Sequence, residues 1–399
     1  MTDKISIACL CTDPGVPVLG FKGCSVHLRE MCSALASLGA EVSLYAMSKG
    51  EGNPYPHDIT EVNFFKKKWL GKDLRLMLSN LLFYRTCKNI FKTSKPHFLY
   101  ARYHIYGWAG VKLAREFSIP IIMHVDDLRV EIEKDRLHFP KLAETFETAI
   151  LKRVDAICCP SKILKSLILG KGVDDQKILV TPNGINIDEF NNNSDGREIR
   201  KRFGLEGKFI IGYVGVLRKL WGIYTILESA QKVLCQRKDI HFMLVGQGKA
   251  FPEIENFIKD KGLGDRFTLT GAVAHSDVPK YISAMDIGLA PYELLEPFYG
   301  SPMKIFEYMA MSKPVITTPQ GQIKDLVAHG ENGLLIEPDD SSGLAKAILE
   351  LGGNKDMMKN MGLKARATVE NYTWEANARK VLDTYRSLVN GNTAPAYEN

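Results

Sequence analysis

Ser301, Pro302, Met303 and Lys304 head an apolar stretch, SPMKIFEYMAM, that carries Glu307 three residues further on. A Ser-Pro pair is a helix start, with the serine as cap and the proline at the first helical position. The amides of Met303 and Lys304 then lack intrahelical partners and lie at the positive end of the helix dipole. Such amides can hold a diphosphate, and the Lys304 ammonium adds a full charge. Glu307 could accept hydrogen bonds from both hydroxyls of a ribose diol; the bland alternative is a solvated carboxylate paired with Lys304. In the loop VGVLRKLWGI (214–223), Arg218 and Lys219 could neutralise a leaving diphosphate, or be ordinary surface cations.

The first half carries a second set. The segment GVPVLGFKGCSVHLRE (15–30) runs from a strand into a helix. In it Gly20 and Gly23 admit close backbone approach, Ser25 is placed to cap, and His27 falls in the first helical turn. The strand IPIIMHVDD (119–127) ends in His124, Asp126 and Asp127, and alternation puts positions 124 and 126 on one face. Arg102 stands at a similar place after another short strand. Polar groups at the carboxyl end of such strands belong to a ligand crevice. Neither the glycine loop nor VGQGKA (245–250) spells G-x-G-x-x-G, which makes a nicotinamide-dependent enzyme a weak rival.

These loops need elements to position them. Short β-branched runs alternate with amphipathic stretches along nearly the whole chain, which means parallel sheets with crossover helices. The polar passage NGINIDEFNNNSDGRE (183–198) interrupts the alternation, and a fresh strand, FIIGYVG, follows. The expected fold is therefore α/β, with two doubly wound, Rossmann-like domains facing across a cleft lined by strand-to-helix loops. The first is expected over residues 1–185 and the second over 186–372, with a C-terminal helix, 373–389, packing back on the first and a flexible tail over 390–399.

At 399 residues the chain has room for two cores, and 45% hydrophobic with 25% charged residues is an ordinary soluble composition. The N-terminal MTDKISIACLC reads as a buried strand better than as a signal peptide, and no stretch has the length of a membrane span. The eight cysteines show no C-x-x-C pairing and no zinc-ligand spacing, so they read as reduced thiols and no metal site is expected. A cytoplasmic location follows. The net charge of +6 comes without a nucleic-acid-binding motif, so nucleic acid is not an expected partner. The excess is local: FFKKKWLGKDLRLMLSNLLFYRTCKNIFKTSK (64–95) has nine Lys or Arg against Asp73 alone. Leu74, Leu78, Leu81 and Leu82 recur there at near-helical spacing, which suggests either a core-packed helix with a charged side or a basic amphipathic face for anionic membrane.

Several segments, in order, resemble the family-4 glycosyltransferases of GT-B fold, the group 1 glycosyltransferases. They are KGCSVHLREMCSALASLGAEV, VDAICCPSKILKSLILGKGVDDQKILVTPNGINIDEF, VGVLRKLWGIYTILESA, HFMLVGQG, LTGAVAHSDVPKYISAMDIGLAPY, SPMKIFEYMAMSKPVIT and HGENGLLIEPDD. The resemblance implies a nucleotide-diphosphate-sugar as co-substrate, with no other cofactor and no obligatory metal, and transfer with retention of configuration. It places the donor pyrophosphate on the amides of Met303 and Lys304, the ribose on Glu307 and the nucleobase near the backbone of Val273, with Gly23, Tyr299 and Ser301 also on the donor side. His124, Asp126, Arg218 and Lys219 are the expected catalytic groups, and His27, Arg102 and Asp127 are expected to meet the acceptor, a glycan, lipid-linked or small molecule.

The sequence departs from the family pattern at three points. Tyr299 stands where the family has the first of two glutamates spaced seven residues apart. Trp221 replaces the lysine before the glycine of the 214–223 loop. Asp126 takes the place of the histidine in the strand-end His-Asp pair, with His124 two residues earlier. A sugar-nucleotide epimerase of the same architecture, or a non-catalytic nucleotide-sugar-binding scaffold, are the competing readings.

Overall fold

The computed structural model describes residues 4–52, 55–66, 69, 71–191 and 193–391. The chain forms two compact units, Met1–Pro182 with Trp374–Asn399, and Asn183–Thr373. The boundary lies three residues before the expected 185. Ile185 bridges Thr373 in parallel and donates its N–H to the Tyr372 carbonyl at 2.8 Å, which ties the 183–185 stretch to the second unit.

The first unit is built on a seven-stranded sheet of order β3-β2-β1-β4-β5-β6-β7. Its strands are β1 (Ser6–Cys11), β2 (Glu41–Ala46), β3 (Ile59–Glu61), β4 (Phe98–Arg102), β5 (Ile121–His124), β6 (Ala156–Cys159) and β7 (Ile178–Val180). All pairings are parallel. β4, β5 and β6 are buried along their whole length, as expected of parallel strands covered on both faces. The C-terminal helix Trp374–Val389 packs on the helix Gly23–Ser37. Phe98 stacks on Tyr385 with centroids 4.6 Å apart, and Asn377 donates to the Pro182 carbonyl at 2.6 Å. From 392 on, the tail lies outside the described residues.

The second unit holds a parallel six-stranded sheet of order β10-β9-β8-β11-β12-β13. Here β8 is Phe209–Val214, β9 Ile240–Val245, β10 Phe267–Gly271, β11 Ile287–Ala290, β12 Val315–Thr317 and β13 Leu334–Leu335. Alternation along β8 and β9 sends Ile210, Val214, Met243 and Val245 into one core layer, and Ile211, Tyr213, Phe242 and Leu244 into the other. In both sheets the chain winds outward from a central strand and then returns to its other side. The order thus reverses between β1 and β4, and again between β8 and β11, which is where open α/β sheets bind ligands.

The basic segment forms the helix Lys72–Phe91, whose buried face is Leu76, Asn80, Phe83, Tyr84, Cys87 and Phe91. The leucines expected to line its apolar face sit to the side: Leu78, Leu81 and Leu82 are half-buried and Leu74 is exposed. Lys67 and Lys68 lie outside the described residues. Among those described, no helix is long and apolar enough to cross a membrane.

Candidate functional site

In the second unit, β8 delivers Tyr213 to the point where the strand order reverses. The loop beyond turns at Gly215 (φ 135°), makes a short 3-10 turn over Lys219–Trp221 and enters the helix Ile223–Gln236 through Gly222 (φ 76°). A Cβ on Gly222 would fall 1.6 Å from the Pro291 carbonyl oxygen, so the loops after β8 and β11 touch where only glycine fits. The second loop is held by Gln320. Its amide nitrogen donates to the carbonyls of Tyr292 (3.3 Å) and Glu293 (2.9 Å), and its oxygen accepts the Leu295 N–H at 2.8 Å.

This loop leads into the helix Met303–Ala310, one residue later than the Ser-Pro pair suggests. Pro302 takes the cap position, and Ser301 does not cap. Its hydroxyl accepts the Asn183 N–H at 2.9 Å, while the Asn183 side chain donates to the Ser301 carbonyl at 2.6 Å. The helix start is therefore anchored by the segment that enters the unit, and the amides of Met303 and Lys304 remain at its first positions.

Lys304 is buried, and its ammonium has no hydrogen-bond partner. It lies 3.8 Å from the Tyr213 ring centroid, 5.4 Å from that of Trp221 and 5.6 Å from that of Tyr292. Burial pushes its pKa down to about 7, against the opposing pull of Glu307. A Cβ at position 215 would come within 3.1 Å of the Lys304 Nζ, so the glycine leaves room for it.

Glu307 is buried too, but no ion pair joins it to Lys304. Its Oε1 meets His275 Nε2 at 3.2 Å, and the His275 ring lies 5.5 Å from Phe190. Sequence reasoning passed over His275, although it stands only two residues after Val273. Val273 is half-buried against the core, and Tyr299 is half-buried in the loop before the helix.

The two loop cations diverge. The Arg218 guanidinium and the Lys304 ammonium each lie 5.4 Å from the Trp221 ring centroid, whereas Lys219 turns toward Tyr224 at 5.9 Å. Lys219 is thus not brought to the helix start by any of these contacts.

In the first unit, the side chains of Arg102, at the end of β4, and His124, at the end of β5, converge on Asp126. An Arg102 Nη2 pairs with Asp126 Oδ2, and His124 Nε2 is 2.6 Å from Asp126 Oδ1. His27 stacks on His124 with centroids 3.8 Å apart, and Trp374 meets His27 edge-on at 5.2 Å. Burial holds both histidines well below their ordinary pKa, with Arg102 adding to the effect on each and His27 also on His124. A neutral His124 beside a carboxylate must carry its proton on Nε2 and donate it, which leaves Nδ1 without a partner. Asp126 is a quarter exposed while His124 is buried, so the carboxylate is the group presented outward and the imidazole backs it.

Asp127 takes a different set of partners. It accepts from Arg129 Nε at 2.9 Å, and Arg129 also reaches Asp13 (3.5 Å) and Glu133 (3.3 Å). Asp13 lies 3.4 Å from His104 and accepts the Gly15 N–H at 2.7 Å. Burial works to raise the Asp13 carboxyl, but His104, Arg129, this amide and Arg102 outweigh it and hold the pKa low. Sequence reasoning missed Asp13, although it stands two residues past the first strand, as Asp126 stands two residues past β5. Gly23 begins the first helix and is exposed. Ser25 does not cap that helix. The Lys22 carbonyl already accepts from the amides of Ser25 (2.9 Å) and Val26 (3.0 Å), so the helix starts three residues earlier and His27 is its fifth residue.

Comparison with known proteins gives the following. A family model described as Glycosyltransferase Family 4 matches residues 21–189, and one described as Glycosyl transferases group 1 matches residues 208–354. An uncharacterized glycosyltransferase of Methanocaldococcus jannaschii is 26% identical over 377 residues, which cover 93% of this chain and 96% of that protein. The D-inositol 3-phosphate glycosyltransferase of Paenarthrobacter aurescens is 23% identical over 392 residues, 94% and 95% of the two chains. The crystal structure of Anabaena HepE in complex with UDP and glucose superposes with a TM-score of 0.76 at 18% identity, covering 96% of this chain and all of that one (100%).

Proposed function

Since the chain belongs to the group 1 glycosyltransferases and has the GT-B fold, we propose that it transfers a sugar from a nucleoside-diphosphate-sugar bound by the second unit. The receiving group is a hydroxyl of an acceptor held by the first unit, a glycan, lipid-linked or small molecule. Configuration is retained and no metal ion is required. One observation carries this reading: a buried, unpartnered ammonium, the free amides of a helix start and a buried carboxylate all belong to the single helix Met303–Ala310. That is the complement of a ribose diphosphate.

In this reading the diphosphate lies on the amides of Met303 and Lys304, Glu307 takes the ribose hydroxyls and the base lies against the backbone near Val273. The anomeric carbon–oxygen bond to the phosphate breaks as the acceptor oxygen bonds to that carbon, and the acceptor proton passes to the departing phosphate. No side-chain nucleophile is needed. Lys304, helped by Arg218, stabilises charge as it grows on the leaving group, and Asp126 orients the acceptor hydroxyl. A cytoplasmic location, with peripheral contact to anionic lipid through residues 64–95, completes the reading; it is supported by eight free cysteines and by the local basic excess.

The test is calorimetry with UDP, the nucleotide held by HepE, and then with other nucleoside diphosphates. Glu307→Ala is expected to weaken the tightest of them by about 10- to 100-fold, the value of hydrogen bonds to a charged group. Unchanged affinity would remove the ribose from Glu307.

Metal independence has its own check. The chain contains no Asp-x-Asp sequence, and Lys304 already supplies a cation at the helix start. Transfer activity should therefore survive exhaustive chelation within about twofold. Strict dependence on added manganese would overturn this part.

A further inference from the structure

Ten large apolar side chains stand exposed among the described residues, and five of them, Trp69, Leu74, Ile132, Phe139 and Leu142, come from two segments of the first unit. Those segments are far apart in sequence but fastened together. The buried Asp73 carboxylate accepts the His138 N–H at 2.8 Å and the Tyr106 hydroxyl at 2.6 Å. Lys72 pairs with Glu133, and the His138 ring lies 3.3 Å from where a Cβ of Gly71 would stand. Beneath them Leu76, Val130, Leu137 and Ala143 share one core cluster. Trp69 is 79% exposed and Phe139 59% exposed. Scattered exposed apolar residues need no explanation, but half of them gathered on one fastened pair of segments does.

The charge around them is unequal. Residues 64–75 carry Lys66, Lys67, Lys68, Lys72 and Arg75, and their only acid, Asp73, is buried and already bonded. On the second segment the exposed Lys134, Arg136 and Lys141 balance the exposed Glu131, Asp135 and Glu144. The surface as a whole is therefore apolar with a cationic excess on the Trp69 side. Tryptophan at such a place favours the water–lipid boundary, and interleaved basic residues favour anionic headgroups.

We propose that Trp69, Leu74, Ile132, Phe139 and Leu142 form a platform that seats the first unit on an anionic lipid bilayer, with the exposed Lys66 engaging the headgroups. This deepens the peripheral contact in the proposed function: the apolar anchor includes the 132–142 segment, and the contact is insertion as well as attraction.

The experiment is co-sedimentation with vesicles of phosphatidylglycerol and phosphatidylcholine, and with phosphatidylcholine alone, at low and high salt. The native chain should pellet with the anionic vesicles. Trp69→Ser with Phe139→Ser should lower the partition coefficient by roughly tenfold or more at either salt. Changing Lys66, Lys67 and Lys68 to serine should lower it mainly at low salt, since screening removes the difference. An unchanged thermal unfolding profile of the whole chain in each variant certifies the fold. Absence of pelleting, or equal binding by the Trp69/Phe139 variant, overturns the platform. So does a native dimer that the same variant turns into a monomer, because the face would then belong to a second copy. UDP binding without vesicle binding ends only this proposal, whereas vesicle binding without binding of any nucleoside diphosphate ends only the transferase reading of the second unit.

Discussion

Lys304→Met lowers the turnover number by about 100-fold or more, the range seen when one preorganised group is removed from a developing anion. The donor KM rises as well, but by less than turnover falls. Methionine keeps most of the volume among Tyr213, Trp221 and Tyr292, so the loss is one of charge rather than packing. The ammonium has no hydrogen-bond acceptor of its own and gains one only when an anion arrives, and the anion grows toward the transition state. The same group sets a pH dependence. With its pKa pushed down to about 7, Lys304 is charged below that pH and neutral above it, and a bound diphosphate favours the charged form. Nucleoside-diphosphate affinity should therefore be full below about pH 7. Above it, affinity should fall by up to about tenfold per unit, until the pKa of the complex is passed. Calorimetry across pH 6 to 9 on the native chain and on Lys304→Met checks this; a native slope that persists in the variant assigns the proton elsewhere. Arg218→Ala should have a smaller effect on turnover, because Arg218 is exposed whereas Lys304 is buried.

Asp126→Asn abolishes most of the transfer activity, by about 100-fold or more, and leaves UDP affinity within about twofold. Asp126 belongs to the first unit, and its carboxylate is fixed from two sides by Arg102 and by a neutral His124. An amide can present only one oxygen to these two donors, so either the grip or the outward lone pairs must be lost. The variant also leaves the buried Arg102 without its counter-ion, and a lower melting temperature is expected with it. Arg102→Gln on the same background separates the effects. It should recover part of the melting temperature and none of the turnover. Turnover within threefold of native in Asp126→Asn would remove Asp126 from the acceptor site.

Features that depend on neighbours in sequence were legible. Parallel strands buried on both faces appear as unbroken apolar runs such as FIIGYV, and SPMKIFEYMAM announces its helix to within a residue. Features settled by distant contacts were not. Ser301 is drawn from capping by Asn183, 118 positions away, and the unit boundary is set by Ile185 against Thr373. The surroundings of Lys304 come from three segments, and Trp221, which in sequence reads only as a missing lysine, proves to be a wall beside the Lys304 that remains. Likewise Asp126 looks like a departure from a histidine pattern until His124 is seen behind it. The exposed apolar residues of the first unit have no periodic pattern, because they come from two segments far apart in the sequence.

The placement of Trp374–Val389 in the first unit makes the second unit an insertion within the first. During synthesis all the strands of both sheets have been made before that helix exists. Residues 183–373 can therefore close as a domain while the earlier one waits with the outer side of its first helix uncovered and His27 lacking the Trp374 edge. A chain released at Thr373 would be complete in its second unit and permanently unfinished in the first. Completion of the first unit thus falls on the helix Trp374–Val389, far in sequence from the strands it covers.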